Sequence, residues 1–193
     1  MELYMTKIEL LTVLKEKVCG CTKCTDLVNY RTQTVMDSGN PTAKILFVGE
    51  APGQDEDEQG EVFVGKAGQL LTNLLKACDL NRDQVYICNI LKCRPPNNRV
   101  PTAEEAKNCE PYLKMQIKIV NPKFIVCLGA TAMKYLLNVD QPVGHMRGRW
   151  FDYTDGHVKA KAIVTYHPSY GVRTGDKGKE AIFEDLQTLV NAL

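Results

Sequence analysis

The chain has 193 residues, of which 44% are apolar, and a formal net charge of +1. That length suits one domain with a substantial core. The near-neutral balance excludes a protein that holds nucleic acid through bulk positive charge, so any such contact has to come from a local basic patch.

The opening stretch, Met1–Val18, mixes Lys7, Glu9, Lys15, Glu16 and Lys17 into apolar positions. That pattern predicts an amphipathic helix and not a signal peptide. Apolar runs at Lys44–Gly49, Val85–Ile90, Lys123–Gly129 and Ala160–Tyr166 read as buried strands. They lack clean alternation, as expected for parallel strands covered on both faces. Helical patterns separate them. Ala67–Cys78 carries Leu70, Leu71, Leu74 and Leu75 at helical spacing. Thr102–Val120 opens with Thr102 and Glu105 placed as a capping box. Ala130–Leu137 and Lys179–Leu193 follow. The alternation predicts an α/β fold: a single domain over residues 1–193, built as a three-layer αβα sandwich around a four-stranded, mainly parallel sheet. No apolar run is long enough to span a bilayer, so a cytoplasmic protein without membrane contact is expected.

Three motifs fall where such a sheet places ligands, beyond the carboxyl ends of its strands. Gly49-Glu50-Ala51-Pro52-Gly53 follows the first strand, Asn89 closes the second and His167 follows the fourth. The first is no phosphate loop: it lacks the Gly-Lys-Ser/Thr ending, and Asp55, Glu56 and Asp57 would repel phosphate. His145 and His157 read as structural.

The chain has eight cysteines. Cys78, Cys88 and Cys127 sit singly in apolar stretches and read as buried free thiols. Cys21 and Cys24 form a C-x2-C pair, and Cys93 and Cys109 a second pair far along the chain. In a reducing compartment such clustering points to metal rather than disulfides. Spacing alone fits both a four-cysteine zinc site and an iron–sulfur cluster, and Cys19 offers a third thiol beside the first pair.

The stretch Ile45–Gly53, with Glu56-Asp57 after it, resembles the first motif of the family 4, iron–sulfur uracil-DNA glycosylases. Phe63–Leu71, Asn89–Arg99, Met146–Trp150 and His167–Tyr170 match later segments of that family in order. The resemblance covers essentially the whole chain. It implies a monofunctional hydrolase of base excision repair. Such an enzyme flips uracil out of single- or double-stranded DNA, cuts its N-glycosidic bond and leaves an abasic site. It further implies a 4Fe-4S cluster on Cys21, Cys24, Cys93 and Cys109, with a structural role, and a monomeric enzyme. No motif singles out a sliding clamp or another repair protein as partner.

The chemistry of the matched residues agrees. Uracil offers an N3–H donor and an O4 acceptor, which the amide of Asn89 complements; cytosine reverses both. Phe63 suits a stacking platform for an extruded base. His167 suits a donor to the oxygen that gathers charge as the base leaves. Glu50 and Glu56, the carboxylates near the expected cleft, are expected to support catalysis, the water being positioned by a backbone carbonyl or by Glu50, and Glu50, Ala51, Pro52 and Gly53 are expected to line the base site. Arg94, Arg99, Arg147, Ser169, Tyr170 and Arg173 are expected to meet DNA, as are Arg149 and Lys177. Three features depart from the family pattern: an extra residue between Cys24 and Arg31, Val62 in place of a proline, and Gly171 in place of a leucine. The segment between Cys93 and Cys109 lacks the Arg-Arg-Ile-His insertion of the variant that traps its product, which favours turnover.

Overall fold

A computed structural model describes residues 5–193. The first four residues of the expected Met1–Val18 helix lie outside them. The elements in chain order are α1 (Lys7–Cys19), α2 (Thr25–Tyr30), β1 (Asp37–Gly39), β2 (Ile45–Gly49), α3 (Gln54–Gln59), α4 (Lys66–Ala77), β3 (Val85–Asn89), α5 (Ala103–Val120), β4 (Phe124–Leu128), α6 (Ala130–Leu137), α7 (Val143–Met146), β5 (Trp150–Asp155), β6 (Val158–Thr165), α8 (Pro168–Thr174) and α9 (Asp176–Val190).

The sheet has six strands in the order β1-β3-β2-β4-β6-β5. The four expected strands form its parallel centre. The two additional strands, β1 and β5, pair antiparallel at the edges. The centre buries both faces. Leu46 and Val48 of β2 join a core with Leu11 and Leu14 of α1 and Leu113 and Ile117 of α5. Ile45 and Phe47 point the other way, into a core with Leu71 and Leu75 of α4 and Ile182 and Leu186 of α9. This opposite facing of successive residues is why the strands read as unbroken apolar runs.

Helix starts follow local chemistry. Thr102 accepts a hydrogen bond from the Glu105 N–H, and the Glu105 carboxylate accepts from the Thr102 N–H at 2.8 Å, completing the expected box. Thr6 and Glu9 do the same for α1. Cα-paired β2 and β3 run parallel with Gly49 opposite Asn89. Both therefore end at the same edge of the sheet, with the turns after β4 and β6 beside them.

Candidate active site

A cavity of about 880 Å³ opens at that edge. Glu50–Glu56, Phe63, Asn89, Gly129, His167 and Arg173 are among its walls. The three sequence motifs thus meet in one cleft.

Asn89 forms its floor and is 1% exposed. Its Oδ1 is buried with no hydrogen-bond partner. Buried amide oxygens are almost always paired, so an orphan on a residue that lines a cavity marks a place for a ligand donor. Gly49 makes room for it: a Cβ there would lie 2.3 Å from Asn89 Oδ1 and 2.6 Å from the Phe63 ring. Phe63 sits at φ 54°, in the left-handed region that a bulky residue enters only when its surroundings hold it. The holding group is Glu56. Its carboxylate accepts from the N–H groups of Val64 and Gly65, both at 2.9 Å, and from Gly53 at 3.1 Å. Glu56, expected among the catalytic carboxylates, is thereby placed as a clamp between two loops, its oxygens occupied by backbone. Glu50 keeps a place on the cavity wall and accepts from the Thr131 hydroxyl.

His167 caps α8 and lies 5.6 Å from Phe63 between ring centroids. Its Nδ1 accepts from the Ser169 N–H at 3.2 Å and stands 2.9 Å from Ser169 Oγ, which in turn accepts from Arg173 at 3.2 Å. With Nδ1 taken as acceptor, the imidazole proton belongs on Nε2. Burial, then the Arg173 charge, pushes the His167 pKa down to about 4. The ring is a neutral donor at physiological pH.

Cys21, Cys24, Cys93 and Cys109 line a second, small cavity behind the β3 end. Cys19 lies apart and exposed, where it accepts from the Thr34 hydroxyl at 3.3 Å. Among the described residues no group of three His, Cys, Asp or Glu side chains is gathered as a single metal ion would need. Three of the thiols nonetheless sense charge on their neighbours: Cys24 responds to Cys21, Cys93 to Cys21 and Cys24, and Cys109 to Cys93 and Cys21. Burial pushes the Cys109 thiol up to about 11. Donors surround the sulfurs. Arg31 Nη1 lies 2.8 Å from Cys93 Sγ while Nη2 donates to the Cys21 carbonyl at 2.8 Å, and Asn108 Nδ2 faces Cys24 Sγ at 3.7 Å. A cage of two buried and two half-buried thiols, ringed by cationic and amide donors, fits a thiolate-ligated anionic group.

The family model of the Uracil DNA glycosylase superfamily matches residues 36–187. The chain belongs to this superfamily. Within the uracil-DNA glycosylase superfamily its similarity is to the Type-4 branch. It is 44% identical to the Type-4 uracil-DNA glycosylase of Thermotoga maritima over 184 residues, covering 94% of each chain. It is 43% identical to that of Archaeoglobus fulgidus over 166 residues, covering 84% of this chain and 83% of the relative. A Type-5 uracil-DNA glycosylase of Pyrobaculum aerophilum is 30% identical over 208 residues, covering 89% of this chain and 88% of the relative.

The basic residues of this glycosylase-family chain divide into two sets. Arg173 and Ser169 line the cleft, as does Arg99, whose guanidinium is held by Glu105 at 2.6 and 2.8 Å. Arg94 lies over the Tyr30 ring, 5.3 Å from its centroid, and donates to Asn98 at 2.7 Å. Tyr170 stacks on Tyr166 at 4.1 Å. Arg147, by contrast, is committed to the protein. It binds Asp185 at 3.1 Å, Glu184 at 2.9 Å and the Ala181 carbonyl. Those partners come from α9, and no local spacing reveals them. Thr131 and Arg31 are further residues of the two sites that sequence reasoning missed. Their roles depend on contacts across the fold, to Glu50 and to Cys93.

Proposed function

We propose that this protein hydrolyses the N-glycosidic bond of deoxyuridine in DNA, releasing uracil and leaving an abasic site for base excision repair. The uracil would come from cytosine deamination or misincorporation. The observation that carries this reading is the orphaned, buried Oδ1 of Asn89, a residue that lines the cavity. It accepts the uracil N3–H while the amide nitrogen donates to O4. Cytosine would set donor against donor there, and a site with buried polar groups left unpaired rejects such a base strongly.

Phe63 stacks on the extruded base, held in place by Glu56. As the bond breaks, negative charge gathers on the base. His167, neutral with its proton on Nε2, donates to the base oxygen that takes up this charge. Such a preorganised donor is worth roughly 3–4 kcal/mol in the transition state. Water adds to the sugar carbon from the side lined by Glu50–Gly53. Glu50, anchored by Thr131, is the carboxylate placed to orient that water and receive its proton. An oxocarbenium-like sugar needs little more activation than this. Arg94, Arg99, Ser169, Tyr170 and Arg173 form the rim available to the DNA backbone.

Cys21, Cys24, Cys93 and Cys109 would hold a 4Fe-4S cluster. Bound there, it supplies a rigid cross-link between the Cys21–Cys24 turn, the end of β3 and α5, and takes no electron in the reaction. The chain acts as a monomer in this reading. No helix among the described residues is long and apolar enough to cross a membrane, and a cytoplasmic setting beside DNA is part of the proposal.

The test is uracil release from an oligonucleotide carrying one deoxyuridine, followed by alkali and gel separation, with iron and sulfide measured on the same protein. Cleavage at the uracil position and an iron-to-sulfide ratio near unity are expected. An uncut strand, bound tightly or not, would refute the enzyme reading. Zinc in place of iron would refute the cluster assignment alone.

A further inference from the structure

Lys92 is among the most deeply buried side chains of the protein, at 1% exposure. Its ammonium donates to the Asn89 carbonyl oxygen at 2.6 Å. Among the described residues no carboxylate lies within ion-pair distance of it. A buried cation with a single neutral acceptor is costly unless an opposite charge stands nearby. Lys92 lines the small cavity formed by the four cysteines. Its backbone N–H is directed at the Cys109 sulfur. Neutral thiols cannot answer an ammonium, whereas thiolates holding an anionic group can.

We infer that Lys92 is a positioning residue that couples the cysteine cage to the base pocket, its ammonium balanced by the thiolates on one side and holding the Asn89 peptide on the other. The inference rests on the reading of the cage as an iron–sulfur site. The held peptide belongs to the wall of the pocket. The next two N–H groups, of Ile90 and Leu91, donate to the Gly49 and Glu50 carbonyls at 2.9 and 3.0 Å. A loaded cage therefore keeps the Asn89 amide aimed at the base. An empty cage leaves Lys92 without its counter-charge and loosens the carbonyl it grips.

The test compares wild-type holoprotein with Lys92→Met and Lys92→Gln. Iron and sulfide content, the reduction potential of the cluster, and kcat and KM on a single-uracil oligonucleotide are measured. Lys92→Met should retain iron but show a more negative potential, because a positive charge beside an anionic cluster favours reduction. Its KM should rise about tenfold, the size of one charge-assisted hydrogen bond, with kcat less affected. Lys92→Gln keeps a donor without the charge. It should lower the potential similarly and recover part of the KM. A variant with full iron, wild-type potential and wild-type KM overturns the coupling. A loss of thermal stability alone, with potential and KM unmoved, does the same, because packing alone predicts that result. Zinc in the wild-type protein would instead defeat the iron–sulfur reading, and KM alone would then judge the Lys92–Asn89 contact.

Should neither variant fold, hydrogen exchange on the wild-type chain decides. Oxidative removal of the cluster should speed exchange at Ile90 and Leu91 while the amides of Ile182–Leu186 in α9 stay protected. Unchanged exchange at Ile90 and Leu91 overturns the proposal.

Discussion

The base pocket and the cysteine cage share the segment Asn89–Cys93 but are built in opposite ways. The pocket is shaped by main chain. Strand ends place Gly49 and Asn89 side by side, and Glu56 fixes the Phe63 loop through backbone N–H groups. Among the buried side-chain atoms of its described residues, Asn89 Oδ1 is left without a partner. The cage is shaped by side chains drawn from the turn before α2, the end of β3 and α5. Cys93 and Cys109 are buried and Cys21 and Cys24 half-buried, and burial favours the acid form of Cys24, Cys93 and Cys109 until a metal centre takes the protons' place. The pocket is therefore formed in advance of its occupant, as preorganised catalysis requires, whereas the cage reaches its working state only when loaded.

Asn89→Asp should break the pocket's side of this contrast most severely. A carboxylate cannot donate to O4, so the preference for uracil over cytosine should fall by up to about 10⁴-fold; paired oligonucleotides measure it, and unchanged selectivity would remove Asn89 as reader. His167→Ala should cost about 10²–10³ in kcat while circular dichroism stays native. The wild-type ring also sets a pH signature. The unfolded chain protonates this histidine near 6.5 and the native chain only near 4. Its contribution to stability is full above the first value and is lost as pH falls toward the second. The profile of kcat/KM should accordingly show no histidine step near 6.5.

On the cage side, Cys93→Ala should release iron and lower stability by several kcal/mol, since both a ligand and the Arg31 acceptor are lost. A brown, fully active variant would show that Cys93 is not a ligand. Glu56→Gln should raise KM several-fold, with a cost of roughly 1–3 kcal/mol for the weakened loop contacts, while leaving iron content intact. The smallest effects separate the basic residues. Arg173→Gln should reduce the salt dependence of DNA binding by about one phosphate's worth, a slope change near 0.9. Arg147→Gln should leave that slope unchanged and lower Tm, because its partners are Asp185 and Glu184.

What the sequence showed follows from where the physical signal lies. The central strands announced themselves as unbroken apolar runs, and α4, α5, α6 and α9 because their apolar residues repeat at the helical period. β1 did not, being only Asp37-Ser38-Gly39. β5 is an edge strand in which Asp152, Thr154 and Asp155 interrupt the apolar pattern. α3 spans Gln54–Gln59 without an apolar residue. The pocket was legible because its motifs sit at strand ends that any parallel sheet brings together. Lys92 was not, for a lysine between Leu91 and Cys93 looks like an ordinary surface charge until the fold encloses it. Arg99 and Arg147 looked like free cations for the same reason, and only the fold reveals Glu105 and the α9 carboxylates as their partners.

Glu56 joins Gly53 on one side of α3 to Val64 and Gly65 on the other. The two lips of the cleft are thus tied at a fixed gape and cannot close independently around whatever enters. The fitting motion falls to the nucleic acid, which must bend its own strand to present a base of the right outline to an unyielding gauge.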